Sequence, residues 1–299
     1  MDHLRKTLLP ILAAFIWGTA FVAQSVGADY MPPFAFNTVR SCIATLALLA
    51  VVWLFAKLRK EPFLPPKEQR RDLLIGGICC GAMLAIASAL QQAGLGDTDP
   101  GKAGFITALY IVLVPIAGLF LKKRAPLTVW IAVVIATAGL YFLCIDPTQA
   151  FYIEPSDLLI IGCAVCFTGH ILVIDHFTQK VDGVRLSCMQ FFVTAVISGI
   201  LMLFFEQPDW SVLPQCTIPL LYTGVLSSGV AYTLQIIAQK GANPTVVTLL
   251  LSLESAFAVL AGVVMGDRLS AWEWLGCGLM LIAVICAQLP PLDKIKKKV

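Results

Sequence analysis

The sequence predicts an all-α integral membrane protein: ten transmembrane helices built from two inverted five-helix repeats. Three observations lead there. Of 299 residues, 59% are hydrophobic and only 13% are charged, with a mean hydropathy of +0.86; ordinary soluble domains are about 25% charged. The apolar residues fall into ten runs, each close to the roughly 20 residues that cross a bilayer as a helix. Displaced by 144 residues, the chain overlays on itself without a gap from its third run to its fifth. The composition excludes a soluble enzyme, a disordered chain and a secreted disulfide scaffold. The net charge of +3, with no basic face, argues against nucleic-acid binding.

The first run, 7–27, follows Arg5 and Lys6 as a signal peptide's core would, but nine further runs follow and it is read as a retained helix. The second, 33–56, opens at Pro32-Pro33 and ends in a basic loop, 57–71. The third, 73–94, stops before Asp97-Thr98-Asp99-Pro100-Gly101, and the fourth, 101–121, stops at Lys122-Lys123-Arg124. The fifth, 127–145, completes the first repeat, 1–149. The second repeat, 150–299, holds runs at 157–176, 184–205, 217–239, 244–265 and 272–289. Its fourth run begins at Pro244, where a missing N–H costs little. Runs of this length exceed the 9–11 residues of a membrane barrel strand. The ten cysteines lie mostly inside the runs and read as small hydrophobes. No metal or other cofactor is expected.

Lys and Arg orient the chain. With both termini in the cytoplasm, 18 of the 21 basic residues fall in inner connections or the lysine tail. Lys102 and Arg268 lie outside, and Arg40 lies within a run. The outer loops are acidic, with Asp29, Asp97, Asp99, Asp146, Glu154, Asp209 and Asp267. Tyr30, Trp130, Tyr141, Trp210, Trp272 and Trp274 sit near run ends, as interface aromatics do.

The 144-residue displacement pairs Leu90-Gln91 with Leu234-Gln235, Pro100 with Pro244, Leu109 with Leu253, Gly118 with Gly262, Arg124 with Arg268 and Trp130 with Trp274. A displacement of 150 pairs Arg40 with Gln190 and Trp17 with Phe167. Five spans per half is odd, so the halves enter the membrane from opposite sides. In transporters so built, the substrate site lies near the midplane between halves.

These residues resemble the drug/metabolite transporter superfamily, EamA type, over nearly the whole chain. The resemblance rests on Trp17-Gly18-Thr19-Ala20-Phe21, Arg40, Gly94-Leu95 through Thr98, Ala103-Gly104-Phe105-Ile106-Thr107, Leu109-Tyr110 and Pro115. In the second half it rests on Leu253-Glu254, Gly266-Asp267-Arg268-Leu269 and Gly276. The chain departs from the family's frequent pattern at Ser255, where proline is common, and at Asp267, where glutamate is common. The resemblance implies the five-plus-five fold and transport, within a superfamily carrying amino acids, nucleosides, sugar conjugates, cations and drugs.

Charge is expensive inside a bilayer, so the ionisable residues well within runs are functional candidates: Arg40, His170 and Glu254. Glu254, near mid-depth of the ninth run, needs a partner or a proton there, and so suits proton carriage or a cationic substrate group. The repeat sets it opposite Tyr110. Arg40 suits a carboxylate or phosphate, a pairing with Glu254, or an outward snorkel. His170 suits a proton relay, or packing held by a hydrogen bond. Trp17, Phe21 and Gln24 share a helix face, as do Ser228, Tyr232 and Gln235. Gln91 is the repeat equivalent of Gln235, and Thr107 lines up with Tyr110. Aromatic faces and amides suit a small amphipathic ligand; interhelical glue is the bland alternative.

The expected function is a secondary active transporter in the inner membrane. It would move a small polar or amphipathic, amino-acid-like metabolite by alternating access, proton-coupled or by exchange. A quaternary-amine or lipophilic-cation carrier is the alternative. An integral-membrane enzyme lacks the gathered acids and histidines it would need. The expected partners are the small-molecule substrate and the lipid bilayer, with no nucleic acid; the sequence leaves the oligomeric state open and is compatible with a monomer.

Overall fold

A computed structural model of the chain describes residues 2–95, 98, 100–122, 125–145, 153–264 and 268–289. Expectations for Asp97, Asp99, Lys123, Arg124, Asp146, Gly266, Asp267 and the lysine tail lie outside the described residues.

Three long helices come first: α1 (Asp2–Ala28), α2 (Pro33–Arg59) and α3 (Lys67–Gly94). The fourth span is divided into α4 (Pro100–Ala108) and α5 (Tyr110–Phe120), and α6 (Leu127–Cys144) is the fifth. Next come α7 (Pro155–Phe177) and α8 (Gly183–Phe205). The eighth span runs through α9 (Leu213–Leu221), a π-helical stretch (Tyr222–Ala231) and α10 (Tyr232–Gln239). The ninth is divided into α11 (Pro244–Leu251) and α12 (Leu253–Val264), and α13 (Ala271–Gln288) is the tenth. Among the described residues, ten helices are long and apolar enough to cross a membrane.

The structure differs from the hydropathy reading in three places. Helix α3 starts at Lys67 rather than 73, because Lys67–Asp72 are polar but mostly good helix formers. Part of the basic 57–71 loop is therefore helix.

The fourth and ninth spans are each interrupted, at Leu109 and Ser252. Leu109 N–H reaches back only three residues, to Ile106 O at 3.2 Å, and Val112 N–H bonds Leu109 O at 2.9 Å. Pro115, within α5, has no N–H to continue the ladder. At Ser252 the hydroxyl takes Leu249 O at 2.9 Å, and Ser255 N–H bonds Ser252 O at 3.3 Å. Such three-residue bonds tighten a helix into a turn.

The third difference is the π-helical stretch, whose bonds run five residues rather than four.

Helix α3 packs on α7 and α8, α2 on α8 and the π-helical stretch, α1 on α12 and the eighth span, and α6 on α13. Glycines set the closest approaches, as expected where lipid removes the hydrophobic drive between helices. A Cβ on Gly276 would lie 2.7 Å from Gly139 O, and one on Gly18 would lie 2.5 Å from Glu254 O.

Connections at one end are tied together. Arg5 donates to Lys240 O at 3.3 Å, Thr7 to Gln288 Oε1 at 3.3 Å, and Arg185 to Pro62 O at 2.9 Å. Elsewhere, Glu206 accepts Phe34 N–H and Ala35 N–H, each at 2.8 Å, and so closes the free N-terminus of α2. Lys102 pairs with buried Asp157 at 2.5 Å, joining α4 to α7.

Candidate functional site

The helices surround a partly open cavity of about 50 Å³. Of the twelve residues singled out in the sequence, all but Ser228 line it. Helix α1 contributes Trp17, Phe21 and Gln24 from one face, α2 contributes Arg40, and α3 contributes Gln91. Thr107 lies in the last turn of α4 and Tyr110 begins α5, on either side of the Leu109 turn. His170 comes from α7, Tyr232 and Gln235 from α10, and Glu254 from the first turn of α12. The Ser252 turn thus sets the Glu254 carboxylate near a helix N-terminus, where the backbone dipole favours negative charge.

Four further residues line the cavity: Phe167, Ile171, Ser227 and Leu251. The apolar ones cannot be told from core residues by type. Ser227 corrects the expected face of Ser228, Tyr232 and Gln235. In an α-helix Ser228 would stack beneath Tyr232; five-residue bonding brings Ser227 there instead. Ser228 is buried away from the cavity.

Two charged side chains face this space, Arg40 and Glu254, with exposures of only 6% and 5%. Among the described residues they form no ion pair with each other. Arg40 Nη1 donates to Gln24 Oε1 at 2.8 Å. Gln24 is held in turn by Gln92 Nε2, which donates to its backbone carbonyl at 3.0 Å. The pairing with Glu254 and the outward snorkel considered for Arg40 are thus both replaced by a buried bond to an amide. Glu254 Oε1 accepts the Tyr110 hydroxyl at 3.1 Å. Each charge is met by a neutral partner only.

The remaining wall is aromatic and amide. The Trp17 and Tyr232 rings meet edge-on with centroids 4.7 Å apart, and Tyr232 lies 5.9 Å from the His170 ring. Trp17 Nε1 donates to Ser227 O at 3.3 Å, and Gln91 Nε2 to Thr107 Oγ1 at 3.3 Å. Fully buried His170 has Nε2 3.0 Å from Gln190 Oε1.

Over residues 5–145, and again over 155–288, the chain matches the EamA-like transporter family. The chain belongs to this family. It is similar to an uncharacterized transporter of Archaeoglobus fulgidus, with 31% identity over 287 residues covering 93% of this chain and 84% of that one. It is also similar to the threonine/homoserine exporter RhtA of Escherichia coli, with 26% identity covering 92% of this chain and 88% of that one. A solved crystal structure shares the fold at a TM-score of 0.80, covering 97% of this chain and 98% of its own, with 19% identity. In an EamA-like transporter the ten helices are membrane spans. The charges in the cavity therefore lie where burial is most costly.

Proposed function

We propose that this EamA-like transporter is a secondary active carrier of a small zwitterionic, amino-acid-like metabolite, working by alternating access across the inner membrane. The observation that carries the reading is the pair of buried opposite charges, Arg40 and Glu254, facing one cavity without pairing to each other. A buried charge is costly until it is countered. A zwitterion counters both at once, its carboxylate on the Arg40 guanidinium and its ammonium on Glu254. The relative named as a threonine/homoserine exporter supports the same class.

Two inverted five-span repeats, 1–149 and 150–299, belong to this proposal. Its support is the double family match, the turns at Leu109 and Ser252, and the bond between Tyr110 and Glu254, residues separated by the 144-residue displacement. The excess of Lys and Arg in alternate connections supports cytoplasmic termini. Glu254 would serve as the coupling or counter-charge group, with drive from a gradient or from exchange.

The aromatic wall of Trp17, Phe167 and Tyr232 favours a second reading, a quaternary-amine or lipophilic-cation carrier. Arg40 in the same cavity counts against it.

Purified protein in liposomes decides between them. Neutral amino acids are expected to move faster than in empty liposomes, and choline-like cations are not. Glu254→Gln and Arg40→Gln should each cut zwitterion transport about 10- to 100-fold, the scale of a lost bond to a charged group. Unchanged zwitterion transport in both variants would sink the reading, and transport of choline alone would put the cation carrier in its place.

A further inference from the structure

The last turns of α2 mark where the second span leaves the membrane. Trp53 and Phe55 are exposed, and Lys57 Nζ and the Arg59 guanidinium lie over their rings at 5.2 Å and 5.3 Å. Interface aromatics and snorkelling basic residues pair in this way. Beside them a pocket opens between the end of α2 and the start of α8. Its inner part is apolar and buried, formed by Val52, Ala56 and Val184, and Phe55 continues it onto the lipid-facing surface. Four charged residues complete the lining: Arg59 and Glu61 at the end of α2, Asp182 and Arg185 at the start of α8. Asp182 Oδ1 accepts Arg185 N–H at 3.0 Å, and Arg185 Nη2 donates to Pro62 O at 2.9 Å. Among the described residues, no ion pair joins either guanidinium to either carboxylate. A guanidinium has five N–H donors, so Arg185 keeps several to spare.

A pocket with two positive and two negative groups matches a ligand that is neutral overall and charged at both ends. An apolar inner part at the membrane boundary matches one that also carries acyl chains. We infer that this pocket holds the headgroup of a zwitterionic phospholipid with a primary ammonium, of the phosphatidylethanolamine class. The phosphate is taken by Arg59 and Arg185, whose planar forks suit its oxygens. The ammonium donates to Glu61 and to the remaining oxygen of Asp182. The glycerol and the chains lie over Phe55 and toward Val52. Basic pockets between spans hold lipid headgroups through the same phosphate contacts. The two carboxylates set this pocket apart, because they repel a headgroup whose only charge is negative. A choline headgroup keeps the positive charge but has no N–H to give them. The bound lipid adds a second tie between the ends of α2 and α8, beside the bond from Arg185 to Pro62. Nothing in the inference depends on what the central cavity transports.

Melting temperatures test it, with delipidated protein in detergent given dioctanoyl phosphatidylethanolamine, phosphatidylcholine or phosphatidylglycerol. The ethanolamine lipid is expected to raise the melting temperature by about 3 °C or more beyond either of the others, a scale that ligand binding by mass action reaches. Glu61→Gln should erase the preference for ethanolamine over choline, and Arg59→Gln should weaken the response to both. Each of these side chains is exposed, so neither substitution disturbs the packing of the helices. Equal shifts from all three lipids, a larger shift from choline or glycerol lipid, or an ethanolamine preference that survives both substitutions would overturn the inference. Stabilisation to the same extent by soluble glycerophosphoethanolamine would overturn it as well, by assigning the pocket to a free metabolite in place of a membrane lipid.

Discussion

Gly18 is pressed against the backbone at the turn that carries Glu254. A Cβ there would meet Glu254 O at 2.5 Å, Ala258 N at 2.8 Å and the Phe257 Cβ at 2.8 Å. These are backbone or near-backbone atoms, which cannot swing aside. Gly18→Ala should therefore destabilise the protein by about 1–3 kcal/mol, the usual cost of overpacking. Gly278 lies in α13, and a Cβ added to it would meet nothing within 4 Å; Gly278→Ala should stabilise by about 0.5–1 kcal/mol through helix propensity. Melting curves of the two variants in one detergent check the contrast, and a Gly18→Ala protein as stable as the parent would contradict the packing argument. At this scale the sequence was informative about charge. Arg40, His170 and Glu254 stand out because little else in the spans can ionise. It was silent about Leu251 and Ile171, since an apolar side chain facing a cavity has the same composition signal as one facing a neighbour.

The N-terminus of α2 depends on a residue far away in sequence. Pro33 leads the helix, and the free N–H groups of Phe34 and Ala35 are taken by the Glu206 carboxylate at the end of α8. Glu206→Ala should cost about 1–2 kcal/mol, as loss of a capping side chain does. Glu206→Gln should cost less, because one acceptor oxygen remains. Thermal unfolding of both variants orders them, and equal stability of all three proteins would remove the cap from the account. Hydropathy located all ten spans because each is defined by its length. It passed over the turns at Leu109 and Ser252 because both are flanked by apolar residues on either side. What makes those turns is local hydrogen bonding, and a window average does not register it.

For the whole molecule, the ties at one end join the start of α1 to the segment between α10 and α11, and the segment after α2 to the start of α8. Cytoplasmic termini then require position 68 to face the cytoplasm and position 211 to face outward. In a chain with its ten cysteines replaced, a single cysteine at Ser211 should react in intact cells with a membrane-impermeant maleimide, and one at Glu68 only after lysis. The reverse pattern would invert the proposed orientation. The pattern of charges was legible in the sequence from the first; the mutual packing of α3 with α7 and of α6 with α13 was not, because contacts between distant runs leave no periodic mark.

The π-helical stretch bears on how the eighth span tolerates changes of length. Losing a residue from an α-helix turns everything beyond it by about 100° relative to what precedes it. In most spans such a loss would carry a lining face away from the cavity. Between Tyr222 and Ala231 the backbone is already wound wide, so it can take up one lost residue by tightening to the α form. Deleting Ser228, which lies off the cavity, should leave a folded protein in which α10 still presents Tyr232 and Gln235, whereas deleting a residue within α8 should not. Yield and monodispersity of the two deletion variants after detergent extraction would tell them apart.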